Sequence, residues 1–215
     1  GFLLYLPFSK HLHLLLAFPN TYFSRISAPG KMENMPVVMN EVKGMLGLIE
    51  ESGDPMDANA DLPEFGANDI FTLHWKNLLD AYTCTECGRC TSECPANQTG
   101  KKLSPRKIMM DTRDRLEEVG KNLDANKGEF IDDGKQLLDN YITREELWAC
   151  TSCNACVEAC PVSINPLSII LDMRRYLVME QSAAPVELNN MMTNIENNGA
   201  PWPYNQMDRL NWMND

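Results

Sequence analysis

One pattern of sulfur occurs twice in this chain of 215 residues and constrains everything else about it. It runs Cys84-Thr85-Glu86-Cys87-Gly88-Arg89-Cys90-Thr91-Ser92-Glu93-Cys94-Pro95, and again Cys150-Thr151-Ser152-Cys153-Asn154-Ala155-Cys156-Val157-Glu158-Ala159-Cys160-Pro161. Both stretches have the spacing C-x2-C-x2-C-x3-C-P, and together they contain all eight cysteines of the chain. This is the ligand run of two-cluster iron–sulfur proteins, in which the fourth cysteine of a run serves the other cluster. The spacing therefore assigns Cys84, Cys87, Cys90 and Cys160 to one [4Fe-4S] cluster, and Cys150, Cys153, Cys156 and Cys94 to a second. Such an exchange staples the two segments together.

Three thiolates two residues apart can wrap one cubane only if the backbone curls tightly and turns its amides toward the sulfides. Residues that tolerate positive φ are needed between them, and Gly88 and Asn154, at the same place in the two blocks, are of the two types that enter the left-handed region most cheaply. Two other uses of cysteine fit less well. A disulfide framework suits a small secreted chain without a core, and structural zinc is usually held by two separated C-x2-4-C pairs. Thiolate-ligated iron implies assembly in a reducing compartment.

The formal net charge of −11 argues against a nucleic-acid partner, because no basic stripe is available for phosphates. Arg89, Lys101, Lys102, Arg106 and Lys107 follow the first block closely and are candidates for tuning a cluster; solvated surface charge is the plainer account of them.

Residues 1–23 open on the apolar run Phe2 to Phe8. Ser9, Lys10, His11 and His13 interrupt it, and Leu12, Leu14, Leu15, Leu16, Ala17 and Phe18 resume it. The stretch is too short and broken to span a bilayer. It reads as the cytoplasmic end of a span begun before residue 1, followed by an interfacial segment, with Lys10, Arg25 and Lys31 obeying the positive-inside rule. The expected location is the cytoplasmic face of the cell membrane. His11 and His13 invite a b-type haem whose other ligand lies upstream, although a polar interfacial pair explains them as well. Residues 24–68 have connector composition, with a short apolar piece, Met45 to Ile49, able to dock.

Residues 69–200 read as a helical domain. Asp69 is the expected N-cap of a helix burying Ile70, Phe71, Trp75, Leu78, Leu79 and Tyr82 and delivering Cys84, with His74 structural. Ser104-Pro105 opens the next helix, with Ile108, Met109, Thr112, Leu116 and Val119 inward and Gly120 as its stop. Residues 121–141 look like an exposed acidic excursion. Thr143 and Glu146 form a capping box before Cys150. Tyr82 and Trp148 stand two residues before each first cysteine and are expected to wall the clusters from water. Asn165-Pro166 starts a helix with Ile169, Ile170, Met173, Leu177 and Val178 inward. A last helix covers Pro185 to Asn197 with Met191, Met192 and Ile195 inward and Gly199 at its end. Residues 201–215 read as a tail toward a missing C-terminal domain. With no strand periodicity, the expected class is all-α.

Residues 69–180 resemble the dicluster segment of the heterodisulfide-reductase and glycolate-oxidase iron–sulfur subunits. The likeness rests above all on Tyr82-Thr83-Cys84-Thr85-Glu86-Cys87-Gly88-Arg89-Cys90 and Cys150-Thr151-Ser152-Cys153. It implies the alpha-helical ferredoxin fold, also seen in the iron–sulfur subunit of succinate dehydrogenase. The segment Tyr5 to His13 resembles the end of the cytochrome-b-like membrane domain fused to some members, and Glu196 to Trp202 resembles the link to their cysteine-rich C-terminal domains. The Cys-Cys-Gly motifs of those C-terminal domains do not occur here, so no catalytic residue is assigned. The resemblance implies a relay of single electrons between a membrane quinone, haem or cytochrome b and a soluble redox partner such as a flavoprotein. Two alternatives are an oxidoreductase subunit whose active site lies in the missing C-terminal part, and a cluster-based redox sensor.

Overall fold

The computed structural model describes residues 1–6, 9, 11–28, 30–32, 34–48 and 64–213. Expectations placed on Pro7, Phe8, Lys10, residues 49–63 and residues 214–215 lie outside the described residues. The fold is all-α. In chain order the helices are α1 (Phe2–Tyr5), α2 (Leu12–Tyr22), α3 (Pro36–Met45), α4 (Trp75–Thr83), α5 (Arg89–Ser92), α6 (Pro95–Gln98), α7 (Pro105–Ala125), the distorted turn α8 (Leu137–Asn140), α9 (Arg144–Ala149), α10 (Ala155–Glu158), α11 (Pro166–Arg175) and α12 (Val186–Asn198). A π-turn, Tyr176–Glu180, prolongs α11, and a 3-10 helix, Gln206–Met213, lies beyond α12.

The core sits between α7 and α11. Ile108, Met109 and Val119 from the one meet Ile169, Ile170 and Met173 from the other, with Leu147 of α9 and Leu177 of the π-turn closing the ends. Burying an aliphatic side chain of this size contributes about 1.5–3 kcal/mol, so these eight fix how the two helices lie. Both start on the expected signal: Ser104 and Asn165 accept the backbone N–H of Lys107 and Ser168, and a proline follows each cap. Helix α7 does not stop at Gly120, which takes helical φ, but runs on to Ala125. The acidic excursion is therefore shorter than expected, and it is not all exposed: Leu137 and Leu138 reach into the core.

Helix α4 begins five residues later than expected. His74 caps it, its Nδ1 accepting from Lys76 N at 3.2 Å. Asp69 is drawn instead into a buried ion pair with Arg115 of α7, Nη2 to Oδ2 2.8 Å. The buried face differs in part from the expected stripe: Ile70 is in the core and Leu78 packs against it, but Phe71 and Trp75 are more than half exposed while Asn77, Asp80, Ala81 and Thr83 are buried. The neighbours of that face are polar, which decides the matter. Ser168 Oγ donates to Asn77 Oδ1 at 2.8 Å, Asn165 N to Asp80 Oδ2 at 3.3 Å, and Lys76 pairs with Asp80 at 2.5 Å.

Helix α2 packs on α4 through a buried asparagine. Asn20 accepts from Lys76 Nζ at 2.8 Å and donates to the carbonyl oxygen of Val162 at 3.0 Å, tying the N-terminal segment to the chain just after Cys160. Among the described residues no helix is long and apolar enough to cross a membrane. Helix α12 ends as expected on Gly199 in the left-handed region, but it buries no residue, and Met192 and Ile195 are exposed.

One glycine sets how closely the segment before α4 approaches α11. A Cβ on Gly66, whose φ is +83°, would lie 2.2 Å from the carbonyl oxygen of Asp172 and 2.5 Å from Tyr176 N. That carbonyl also accepts from Ala67 N at 3.1 Å. Gly66→Ala therefore combines left-handed strain with a backbone collision and is expected to cost roughly 2–4 kcal/mol, read as a lowered urea midpoint at unchanged slope.

Candidate metal centre

The two blocks are built alike, residue by residue. Helices α4 and α9 each end by handing over to an extended cysteine, Cys84 at φ −61° and ψ 119°, Cys150 at φ −71° and ψ 127°. Thr143 and Glu146 make the expected capping box that starts α9. Two residues past the first cysteine the backbone turns left-handed, at Glu86 (φ 56°) and Ser152 (φ 55°). It does so again at Gly88 (φ 81°) and Asn154 (φ 62°), which cap α5 and α10. Gly88 and Asn154 were legible from residue type. Glu86 and Ser152 were not, because neither type signals positive φ; only superposing the two blocks would have pointed to them.

These turns aim amides at sulfur. Ser152 N donates to Cys150 Sγ at 3.4 Å, Ile164 N to Cys160 Sγ at 3.3 Å, and the backbone amides of Glu86 and Arg89 serve Cys84 and Cys87 in the same way. Amide hydrogen bonds to sulfur are among the means by which a protein stabilises a cluster and sets its potential.

Cys84, Cys87, Cys90 and Cys160 line one recess, closed by Met109, Val162, Ile164 and Pro166, with Arg89 and Arg106 at its edge. On the other side, the buried Cys94 lies within electrostatic reach of Cys150 and Cys156, and Cys156 also senses Cys90. Helices α5 and α10 touch, so the two sulfur groups adjoin. Neither Tyr82 nor Trp148 lines the first recess. Aliphatic side chains and prolines make that wall, and Trp148 instead carries the Arg174 guanidinium 5.0 Å above its ring.

Burial pushes the thiols of Cys84, Cys90 and Cys150 up, and that of Cys156 up to about 12, with repulsion from neighbouring sulfurs adding to it. Cys87 is lowered, chiefly by the Arg89 amide. Buried thiols such as these four resist ionisation and need a cation to become thiolates, which iron supplies with release of protons. Among the described residues no three of His, Cys, Asp or Glu converge closely enough to hold a single metal ion. The sulfurs of Cys84, Cys87, Cys90 and Cys160 surround a recess instead of meeting at a point. Donor chemistry, amide orientation and spacing all fit a cubane.

The expected cations divide. Arg89 and Arg106 edge the recess, whereas Lys102 pairs with Glu145, and Lys107 with Asp111 and Glu146. Two cations that their place in the sequence does not single out, Arg113 and Arg174, contact the blocks directly. His11 is exposed just before α2 and His13 is half-buried within it. Nothing in the site or in the matches below lends support to haem.

Residues 83–164 match the 4Fe-4S dicluster domain. Over that stretch the chain carries a dicluster domain of the iron–sulfur electron-transfer kind. Within that class it carries the segment shared by the heterodisulfide-reductase and glycolate-oxidase iron–sulfur family, as its motifs implied. It is 33% identical over 243 aligned positions to a probable iron–sulfur-binding oxidoreductase, FadF, of Bacillus subtilis, covering 100% of this chain and 32% of that protein. It is 34% identical over 186 positions to an EtfAB:quinone oxidoreductase of Syntrophomonas wolfei, covering 78% and 26%. Over 108 positions it is 35% identical to one component of a ferredoxin/F(420)H(2)-dependent CoB-CoM heterodisulfide reductase of Methanosarcina acetivorans, covering 50% and 52%. The chain thus spans a third or less of the first two relatives and about half of the third.

Proposed function

We propose that Cys84, Cys87, Cys90 and Cys160 hold one [4Fe-4S] cluster, that Cys150, Cys153, Cys156 and Cys94 hold the other, and that the pair relays single electrons between a membrane quinone and a soluble redox partner. The recess that brings Cys160 beside the first three cysteines of the other block carries this reading. Each cluster supplies one-electron chemistry. The chain contributes the rest: amides aimed at sulfur, aliphatic walls that exclude water, and contact between α5 and α10 that keeps the two sites adjacent.

The membrane side of the proposal rests on α2. Its inner face is fastened to α4 through Asn20, while Leu14, Leu15, Phe18 and Tyr22 leave an apolar face exposed. Such a face suits the interfacial plane of a bilayer, and a relative named for quinone reduction or oxidation is consistent with it. On this reading the protein works at the cytoplasmic face of the membrane beside other redox subunits.

Protein purified without air is expected to contain about eight irons and eight sulfides per chain and, once reduced, to give EPR signals of two interacting [4Fe-4S] clusters. Zinc in place of iron would overturn the reading. A single labile cluster would favour a sensor over a relay.

A further inference from the structure

The internal repeat extends beyond the cysteines to the helix that follows each block. Both helices open on proline, Pro105 in α7 and Pro166 in α11, and the ninth residue of each is an arginine, Arg113 and Arg174. Each arginine returns to its own block and meets the left-handed residue two places after the first cysteine. There the copies part. Arg113 Nη1 meets Glu86 Oε1 at 2.6 Å and forms an ion pair, with Asp114 3.4 Å from the same guanidinium. Arg174 Nη1 meets Ser152 Oγ at 3.3 Å, and among the described residues no carboxylate lies within ion-pair distance of it.

Arg174 is half-buried and close to the second block. Its Nη2 donates to the carbonyl oxygens of Cys150 at 2.5 Å and Leu147 at 2.6 Å, and its Nε to Leu147 O at 3.0 Å. The guanidinium lies over the Trp148 ring, which shields that side from solvent. A cation in such surroundings is screened little, whereas Arg89 and Arg106 beside the first recess are exposed and more fully screened.

We propose that Arg174 is a potential-setting residue that raises the reduction potential of the cluster at the second block, and that Glu86 cancels the corresponding effect of Arg113 at the first. This rests on the ligand assignment proposed above. Reduction adds negative charge, and an uncompensated cation stabilises the reduced state more than the oxidised one. Glutamate in place of serine is the closer of the two carboxylates that face Arg113 and makes the main difference between the copies.

The test is an EPR-monitored redox titration of the full chain carrying both clusters, with the second cluster identified as the signal lost in Cys94→Ser. In Arg174→Gln the reduced-to-oxidised ratio of that cluster at a fixed ambient potential is expected to fall about tenfold, equivalent to about 59 mV for one electron. Arg174→Lys keeps the charge but loses the guanidinium fork, so its potential should stay near wild type. Ser152→Glu should imitate Arg174→Gln by pairing the arginine; glutamate is tolerable there because Glu86 takes the same φ in the first block. Glu86→Ser should raise the first cluster's potential and leave the second alone. Two intact clusters with unmoved potentials in Arg174→Gln and Ser152→Glu would overturn the inference. So would equal shifts in Arg174→Gln and Arg174→Lys, which would mark a structural role. Wild-type protein lacking iron would overturn the ligand assignment itself.

Discussion

Cys94→Ser is expected to lose one cluster and keep the other, and the cluster lost is the one whose remaining ligands lie more than fifty residues away in sequence. Iron should fall from about eight to about four per chain. The surviving EPR signal should belong to the site of Cys84, Cys87, Cys90 and Cys160. Cys94 stands in the first block, but its buried thiol shares its surroundings with Cys150 and Cys156. The substitution spares the local fold, because the backbone around it is fixed independently of sulfur: Cys94 N donates to Thr91 O at 3.2 Å, and Gln98 N to Cys94 O at 2.9 Å. A serine oxygen is a harder, poorer ligand for an iron–sulfur cubane than thiolate. Cys160→Ser is the mirror experiment and should empty the recess that Cys160 shares with the first block. Loss of the Cys84 site in Cys94→Ser would show that each block holds its own cluster.

How much of this was legible in the sequence follows from how local each interaction is. The cysteine runs, the left-handed Gly88 and Asn154, the caps at Ser104, Thr143 and Asn165 and the stop at Gly199 all depend on residues within a few positions of one another. Periodicity succeeded for α7 and α11, where an apolar stripe packs on an apolar stripe. It failed in part around α4, where Ile70 and Leu78 turn inward as expected but the rest of the inward face is chosen by its partners, and Asn20, Asn165 and Ser168, distant in sequence, are polar. Asp69 looked like a cap for the same reason: a single sequence gives no sign that a cation awaits it on another helix. Arg174 was invisible until the two copies could be compared in space, since its position on α11 reads as an ordinary basic residue near a helix end.

The largest effect on stability is expected at Arg115. Its side chain is only 1% exposed, on the same inward stripe of α7 as Thr112 and Val119. The guanidinium binds Asp69 through Nε at 3.1 Å and Nη2 at 2.8 Å, Asp133 through Nη1 at 2.5 Å, and the carbonyl oxygen of Lys135 at 2.6 Å. Asp69 Oδ1 in turn accepts from the amides of Ile70 and Leu137. One cation thus joins the segment before α4, helix α7 and the excursion that leads to the second block. Arg115→Ala strands the Asp69 carboxylate and is expected to cost about 3–5 kcal/mol, read by anaerobic urea unfolding. Adding Asp69→Asn should recover part of that loss, since a neutral amide oxygen still accepts from Ile70 and Leu137 without carrying a buried charge. Acid should weaken the wild-type network. The hydrogen bond from Arg115 holds the Asp133 carboxyl below the usual carboxylate range, so its stabilisation is fully present above the unfolded pKa and is lost as pH falls through the lower folded value. If Arg115→Ala unfolds at the wild-type urea concentration, the buried network does not hold these three segments together, and packing between α7 and α11 alone maintains the fold around the cysteines.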